Sequence, residues 1–254
     1  QSMTCTPTTD ADATLAQINA LVKAGCDIVR VSVPTAEAVE PFGRICSLSP
    51  VPIVADIHFD YRLAIAAVEH GASKLRINPG NIGSWDRVDA VIDAAGQAGA
   101  AIRIGVNAGS LDKDIASRED LTQVDKLVAS SMQFVDHFET RGFTDIVLSA
   151  KAHSVSTTLE TYRRLSSELP QIPLHLGVTE AGGIQQGTIK SSIALGALLA
   201  EGIGDTMRVS LTADPVEEVP VAWGILSALE LRRRGPEIVS CPTCARCQVD
   251  LIGI

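Results

Sequence analysis

The 254-residue chain is 46% hydrophobic and 4% aromatic, enough to bury one large core and of the length that an α/β barrel commonly has. Its 21 basic and 30 acidic residues leave a net charge of -9, which argues against a general polyanion-binding surface but not against a local basic pocket. It has no apolar run of about 18 residues, and QSMTCTPTTD lacks the charged and apolar regions of a signal peptide. A cytoplasmic protein with neither membrane nor nucleic-acid partners is expected.

A clipped first strand ends near Ser2 and Met3, and an amphipathic helix follows over residues 12–24. Leu15, Ile18, Leu21 and Val22 share its apolar side, and Gly25 supplies the stop. AGCDIVRVSVP reads as the second strand and VPIVADIHF as the third, with a helix over 61–70. HGASKLRINPG gives the fourth strand, then a helix over 85–98; QAGAAIRIGVNAG gives the fifth, then a helix over 121–141. RGFTDIVLSAKA, IPLHLGVTEAG and EGIGDTMRVSL complete eight strands, followed in turn by helices over 157–169, 189–201 and 216–234. Strands alternating with helices imply parallel pairing, and the length favours closure into an α/β (β/α)8 TIM barrel over residues 1–234. No Gly-x-Gly-x-x-Gly follows the first strand, which weighs against a dinucleotide fold. Residues 235–254 start something else.

Five strands carry a cation in their last few residues: Arg30, Arg76, Arg103, Lys151 and Arg208. Strand side chains alternate, so Arg30 shares a face with Ser32, Arg76 with Asn78, Arg103 with Gly105 and Asn107, and Ser149 with Lys151. Arg208 groups with Ser210 and Thr212 in the same way, Asp56 with His58, and His175 with Gly177 and Thr179. The intervening residues are apolar, as the helix-facing side requires, so the polar set points into the barrel at its C-terminal, catalytic end. Desolvated cations need an anion, and a diphosphate gripped by arginine forks would satisfy them. Asp56 and His58 suit acid–base work or a structural pair equally. Asn107 and Glu180 precede glycine turns where backbone can approach a ligand closely.

Of six cysteines, Cys5, Cys26 and Cys46 are scattered, whereas Cys241, Cys244 and Cys247 cluster in CPTCARC. In a reducing compartment that spacing reads as metal ligation, to an iron–sulfur cluster or to zinc shared between two chains.

Taken in order, QSMT, DIVRVSVP, VADIHFDYRLA, KLRINPGNIG, IRIGVNAGSL, HLGVTEAGG, EGIGDTMRVSL, ADPVEEV and CPTC resemble the bacterial 4-hydroxy-3-methylbut-2-enyl diphosphate synthases of the methylerythritol phosphate pathway to isoprenoids. The resemblance implies reductive ring opening of 2-C-methyl-D-erythritol 2,4-cyclodiphosphate with a 4Fe-4S cluster fed by ferredoxin or flavodoxin. It implies substrate binding by Arg30, Arg76, Arg103, Lys151 and Arg208, with Thr179 and Ser210 as hydroxyl contacts. Asp56, His58, Asn107 and Glu180 would orient the substrate or move protons. Cys241 and Cys244 match two cluster ligands, whereas Cys247 matches none, and the family's downstream Gly-Cys-x-Val-Asn-Gly-Pro-Gly-Glu motif is absent. The expectation is a substrate-binding barrel with the incomplete start of a cluster domain, homodimeric in the full protein, that binds the cyclodiphosphate without turnover. Two rivals remain: another phosphate-binding barrel such as a pterin-dependent synthase, and a non-catalytic zinc-tailed binding module.

Overall fold

The computed structural model describes residues 1–109, 111, 113–236, 245, 246 and 248–250. Strands and helices alternate from β1 (Ser2–Met3), α1 (Ala11–Ala24), β2 (Val29–Ser32) and α2 (Val39–Leu48) to β3 (Ile53–Asp56), α3 (Tyr61–Glu69) and β4 (Lys74–Ile77). The chain continues through α4 (Pro79–Ile82), α5 (Trp85–Ala98), β5 (Ala101–Asn107), α6 (Lys113–Ala116), α7 (Gln123–Thr140), β6 (Ile146–Lys151) and α8 (Val155–Glu168). It ends in β7 (His175–Leu176), α9 (Ile184–Ala200), β8 (Thr206–Met207) and α10 (Glu218–Ala228).

The strands pair in parallel and in sequence order, β1 through β6 in one sheet and β7 with β8 in another. Two joints close them into the expected barrel. A parallel bridge between Leu148 and Leu174 joins β6 to the start of β7. At the other seam the Gln1 nitrogen donates to the Met207 carbonyl at 2.9 Å, joining β8 to β1.

Helix ends follow local chemistry. Asp10 caps α1 by accepting from the Ala13 N–H, and Gly25 ends it at φ 107, a left-handed conformation a side chain would resist. Between those ends Ile18 and Leu21 are fully buried, each contributing about 1.5–3 kcal/mol of apolar burial. The outward face of the strands is apolar in turn: Val29 and Val31, Ile53 and Ala55, Leu75 and Ile77, and Ile102 and Ile104 are all buried. Their alternates, including every strand-end cation, face the barrel interior.

Besides the one-turn helices α4 and α6, which were not expected, three longer helices depart from the sequence expectation. α2 was not expected, since Pro41 and Gly43 interrupt its propensity, yet Phe42 and Ile45 are fully buried on it. Gly43 is needed there because a Cβ would come within 2.9 Å of the His70 ring. α9 starts at Ile184, five residues before the expected position, and takes in Gly187, where a Cβ would meet Leu211 at 2.6 Å. α10 stops at Ala228, six residues early, because the chain turns back over the end of α1. There Arg232 pairs with Asp27 and lies over the Trp223 ring, while Arg234 bonds the Ala24 and Lys23 carbonyls.

Candidate active site

Register brings the cations together. Arg30 of β2 is two strands from Arg76 of β4, with Asp56 of β3 beside Arg76, and Arg103 of β5 is directly opposite Arg76. Lys151 of β6 is opposite Asn107 of β5. Together with Arg208, just past β8, these five side chains line one cavity of about 280 Å³ at the C-terminal end of the barrel. Asp56, His58, Asn107, Thr179 and Ser210, also singled out from sequence, line the same cavity. The surrounding sheet leaves little solvent: Arg103 is 1% exposed, Arg76 7% and Lys151 9%.

Two carboxylates answer the five cations. Asp56 accepts from Arg76 at 3.2 Å, stands 3.9 Å from Arg30 and lies 3.1 Å from His58 Nε2. Burial pushes its pKa up, but Arg30, the bond from His58 and Arg76 outweigh that and hold the carboxyl below the usual range. Glu218, buried in the first turn of α10, forks onto Arg208 at 2.9 and 3.1 Å. It also accepts from the Ser2 hydroxyl at 2.8 Å and the Leu211 N–H at 3.3 Å. Among the described residues, basic side chains of the cavity outnumber the carboxylates that pair with them by three.

The remaining contacts are neutral and leave donors free. The Met3 sulfur accepts from Arg30 at 2.8 and 3.1 Å, a weak acceptor for a guanidinium. Arg103 donates to the Ser149 hydroxyl at 3.1 Å, but its Nε and second amino group, like Arg76 Nε, are buried without a partner among the described residues. Asn107, with its amide turned so that nitrogen donates to the Val106 carbonyl, presents its oxygen to Arg76 at 3.0 Å. Buried unpaired donors are costly, so their retention marks a place for an acceptor from outside.

Glycines seat two of the cations. A Cβ on Gly105 of β5 would fall 2.6 Å from Arg76 Nε, and one on Gly177, next after β7, would fall 2.5 Å from Lys151 Nζ. Both lie on the interior face that parity predicts, where a side chain would fill the cavity's wall. His175, two residues below Gly177, is fully buried with Nδ1 2.9 Å from the Thr206 hydroxyl and Nε2 without a partner. Burial first, then Arg103 and Lys151, drive its pKa well below the ordinary value and keep the imidazole neutral.

One residue singled out from sequence stands apart. Glu180 is exposed, does not line the cavity and holds φ 53, so its left-handed backbone carries it away from the Thr179 face. His58 sits at the rim, half exposed. Cys241, Cys244 and Cys247 lie outside the described residues. Among the described residues no cluster of histidine, cysteine and carboxylate could hold a metal ion. Sequence reasoning placed Ser149 on the interior face with Lys151 but missed Met3 and Glu218. The adjacent acids in ADPVEEV, at a helix start just after the β8 cation, were the available signal for Glu218, because a first-turn carboxylate points back toward the strand ends.

The barrel agrees with comparison to known proteins. The GcpE TIM-barrel domain model matches residues 1–223. A 4-hydroxy-3-methylbut-2-en-1-yl diphosphate synthase (flavodoxin) of Idiomarina loihiensis is 55% identical over 252 residues, covering 99% of this chain and 68% of the relative. The chain belongs to this synthase family. A synthase of the same name from Chromohalobacter salexigens is 54% identical over 253 residues, covering 100% of this chain and 68% of its own. The synthases are oxidoreductases of isoprenoid biosynthesis, and the family barrel is the one seen here.

Solved structures add the fold alone. The dihydropteroate synthase of Coxiella burnetii aligns with a TM-score of 0.60 at 12% identity, covering 88% of this chain and 89% of that one. The Yersinia pestis enzyme gives 0.59 at 14%, covering 87% and 88%. At that identity the shared barrel says nothing of pterin chemistry.

Proposed function

We propose that the barrel binds 2-C-methyl-D-erythritol 2,4-cyclodiphosphate for reductive ring opening to 4-hydroxy-3-methylbut-2-enyl diphosphate. The observation that carries this reading is the excess of basic side chains over carboxylates, with guanidinium donors unpartnered among the described residues, in one cavity. A diphosphate supplies both the charge and the acceptors. Arg30, Arg76, Arg103, Lys151 and Arg208 grip the phosphoryl oxygens, and Thr179 and Ser210 donate hydroxyls at the cavity wall. Asp56, kept ionised by its cations, orients His58 at the rim, where the imidazole can hold or release a proton. Asn107 fixes Arg76 and offers its amide to the substrate. Glu180 is assigned to the mouth, one residue beyond Thr179.

A 4Fe-4S cluster, when bound, supplies electrons one at a time, and the relatives' name points to flavodoxin as their source. Cys241 and Cys244 are proposed as two of its ligands. Two thiolates do not complete a site that takes four protein ligands, so these 254 residues bind substrate without turning it over. A homodimer in the full protein is proposed with the family reading, in which the cluster domain of one subunit closes over the barrel of the other. No helix among the described residues is long and apolar enough to cross a membrane, and a cytoplasmic location is proposed with the pathway.

Calorimetric titration of the cyclodiphosphate into the wild type and Arg103→Ala tests the reading. Binding to the wild type, weakened in the variant by about 1.5–3 kcal/mol, the scale of a charge-assisted contact, is the expected result. Equal affinity in both would remove the substrate from these cations.

A further inference from the structure

Lys151 is unlike the other cations of the cavity. The carboxylates near it are engaged elsewhere, Asp56 by Arg30 and Arg76 and Glu218 by Arg208. Among the described residues its amine has neither an ion pair nor a hydrogen bond. It is 9% exposed and folds into the space that Gly177 leaves, 2.5 Å from where a Cβ would stand.

The groups facing it, strand by strand, are almost all positive. Arg103 acts on it most strongly among charges, then Arg30, Arg208 and Arg76, and the Gln1 amino group adds to them. His175, on the strand that forms the seat, is neutral and offers no counter-charge. Burial first, and these cations second, lower the Lys151 pKa well below that of an ordinary lysine. The same surroundings press on Arg103, but a guanidinium keeps its proton throughout the accessible range, so the lysine is the side chain that yields.

We propose that Lys151 stands as a neutral amine in the unliganded barrel and takes up one proton when an anionic group enters, so that anion binding is linked to protonation of this side chain. The inference rests on the anion-site reading above. The balance is simple. The amine lone pair accepts a proton from solvent, no other bond forms or breaks, and the resulting ammonium donates to the anion. Entry of negative charge reverses the sign of the local potential, which restores the charged form. Affinity should therefore fall as pH rises above the unliganded Lys151 value and keep falling, by up to tenfold per unit, until the liganded value is passed.

The test is calorimetry of inorganic pyrophosphate binding to the full chain at pH 8, in two buffers of different ionisation enthalpy. The difference in heat gives the protons taken up per ligand. Lys151→Arg, whose charge is permanent, and Lys151→Met, which has none, are measured beside the wild type, so that the ligand's own protonation is common to all three. The expected result is close to one more proton for the wild type than for either variant, with Lys151→Met binding at least tenfold more weakly. Thermal melts verify folding, and Lys151→Met alone decides if arginine does not fit beside Gly177. Binding with the same proton number in the wild type and the folded variant overturns the inference while leaving the anion site standing. No binding by the wild type overturns both.

Discussion

Asp56 shows how one residue's charge is fixed by its neighbours. Its folded pKa is depressed, so the stability it contributes is fully present above the ordinary carboxylate value of about 4 and is lost as pH falls through the lower folded value. Asp56→Asn should therefore lower the urea midpoint near neutrality and flatten the wild type's loss of stability between roughly pH 4 and pH 2. Parallel slopes in the two proteins would show that Arg30 and Arg76 do not depend on this charge. The cations were legible in the sequence because strand alternation is a local rule, and parity alone turned five separate side chains toward one axis. The direction of Glu180 was not legible because that rule lapses after the strand, where φ 53 redirects the chain. Glu218 was missed for a different reason: the acids of ADPVEEV signal a helix start, but the partner Arg208 lies ten residues away across a loop whose path no periodicity encodes.

Helices obey rules of similar range, with similar limits. α7 begins with a capping box in which Thr122 accepts from the Asp125 N–H while the Asp125 side chain accepts from the Thr122 N–H. Removing the hydroxyl in Thr122→Ala should cost about 1 kcal/mol and lower the melting temperature by roughly 2–4 °C, read by circular dichroism. An unchanged melt would mean that packing of Phe134, Val135 and Phe138 alone holds the helix. α1 and α5 were legible nearly to the residue because each ends in a left-handed glycine. α2 was not, since only tertiary contact explains a proline and a glycine inside it. The early stop of α10 is likewise set from outside, by Arg232 and Arg234 reaching the end of α1 rather than by any breaker of its own.

At the scale of the molecule the barrel is held shut by contacts between its first and last units. The Gln1 nitrogen bonds Met207, Ser2 bonds Glu218, and the Trp223 indole donates to the Gly25 carbonyl. Glu218→Ala strands Arg208 in the wall and removes the Ser2 contact. It should destabilise the fold by roughly 3 kcal/mol, the lower end for a broken buried pair because Arg208 keeps some exposure. A urea titration that shifts by less than a third of this would assign closure to the backbone seam instead. The seam also constrains how the protein is made. About 200 residues separate β1 from the strand that covers its edge, so at ribosomal speeds of roughly 5–20 residues per second that edge waits about 10–40 s for its partner. Through that interval a curved, half-built sheet has a border open to pairing with a neighbouring nascent chain.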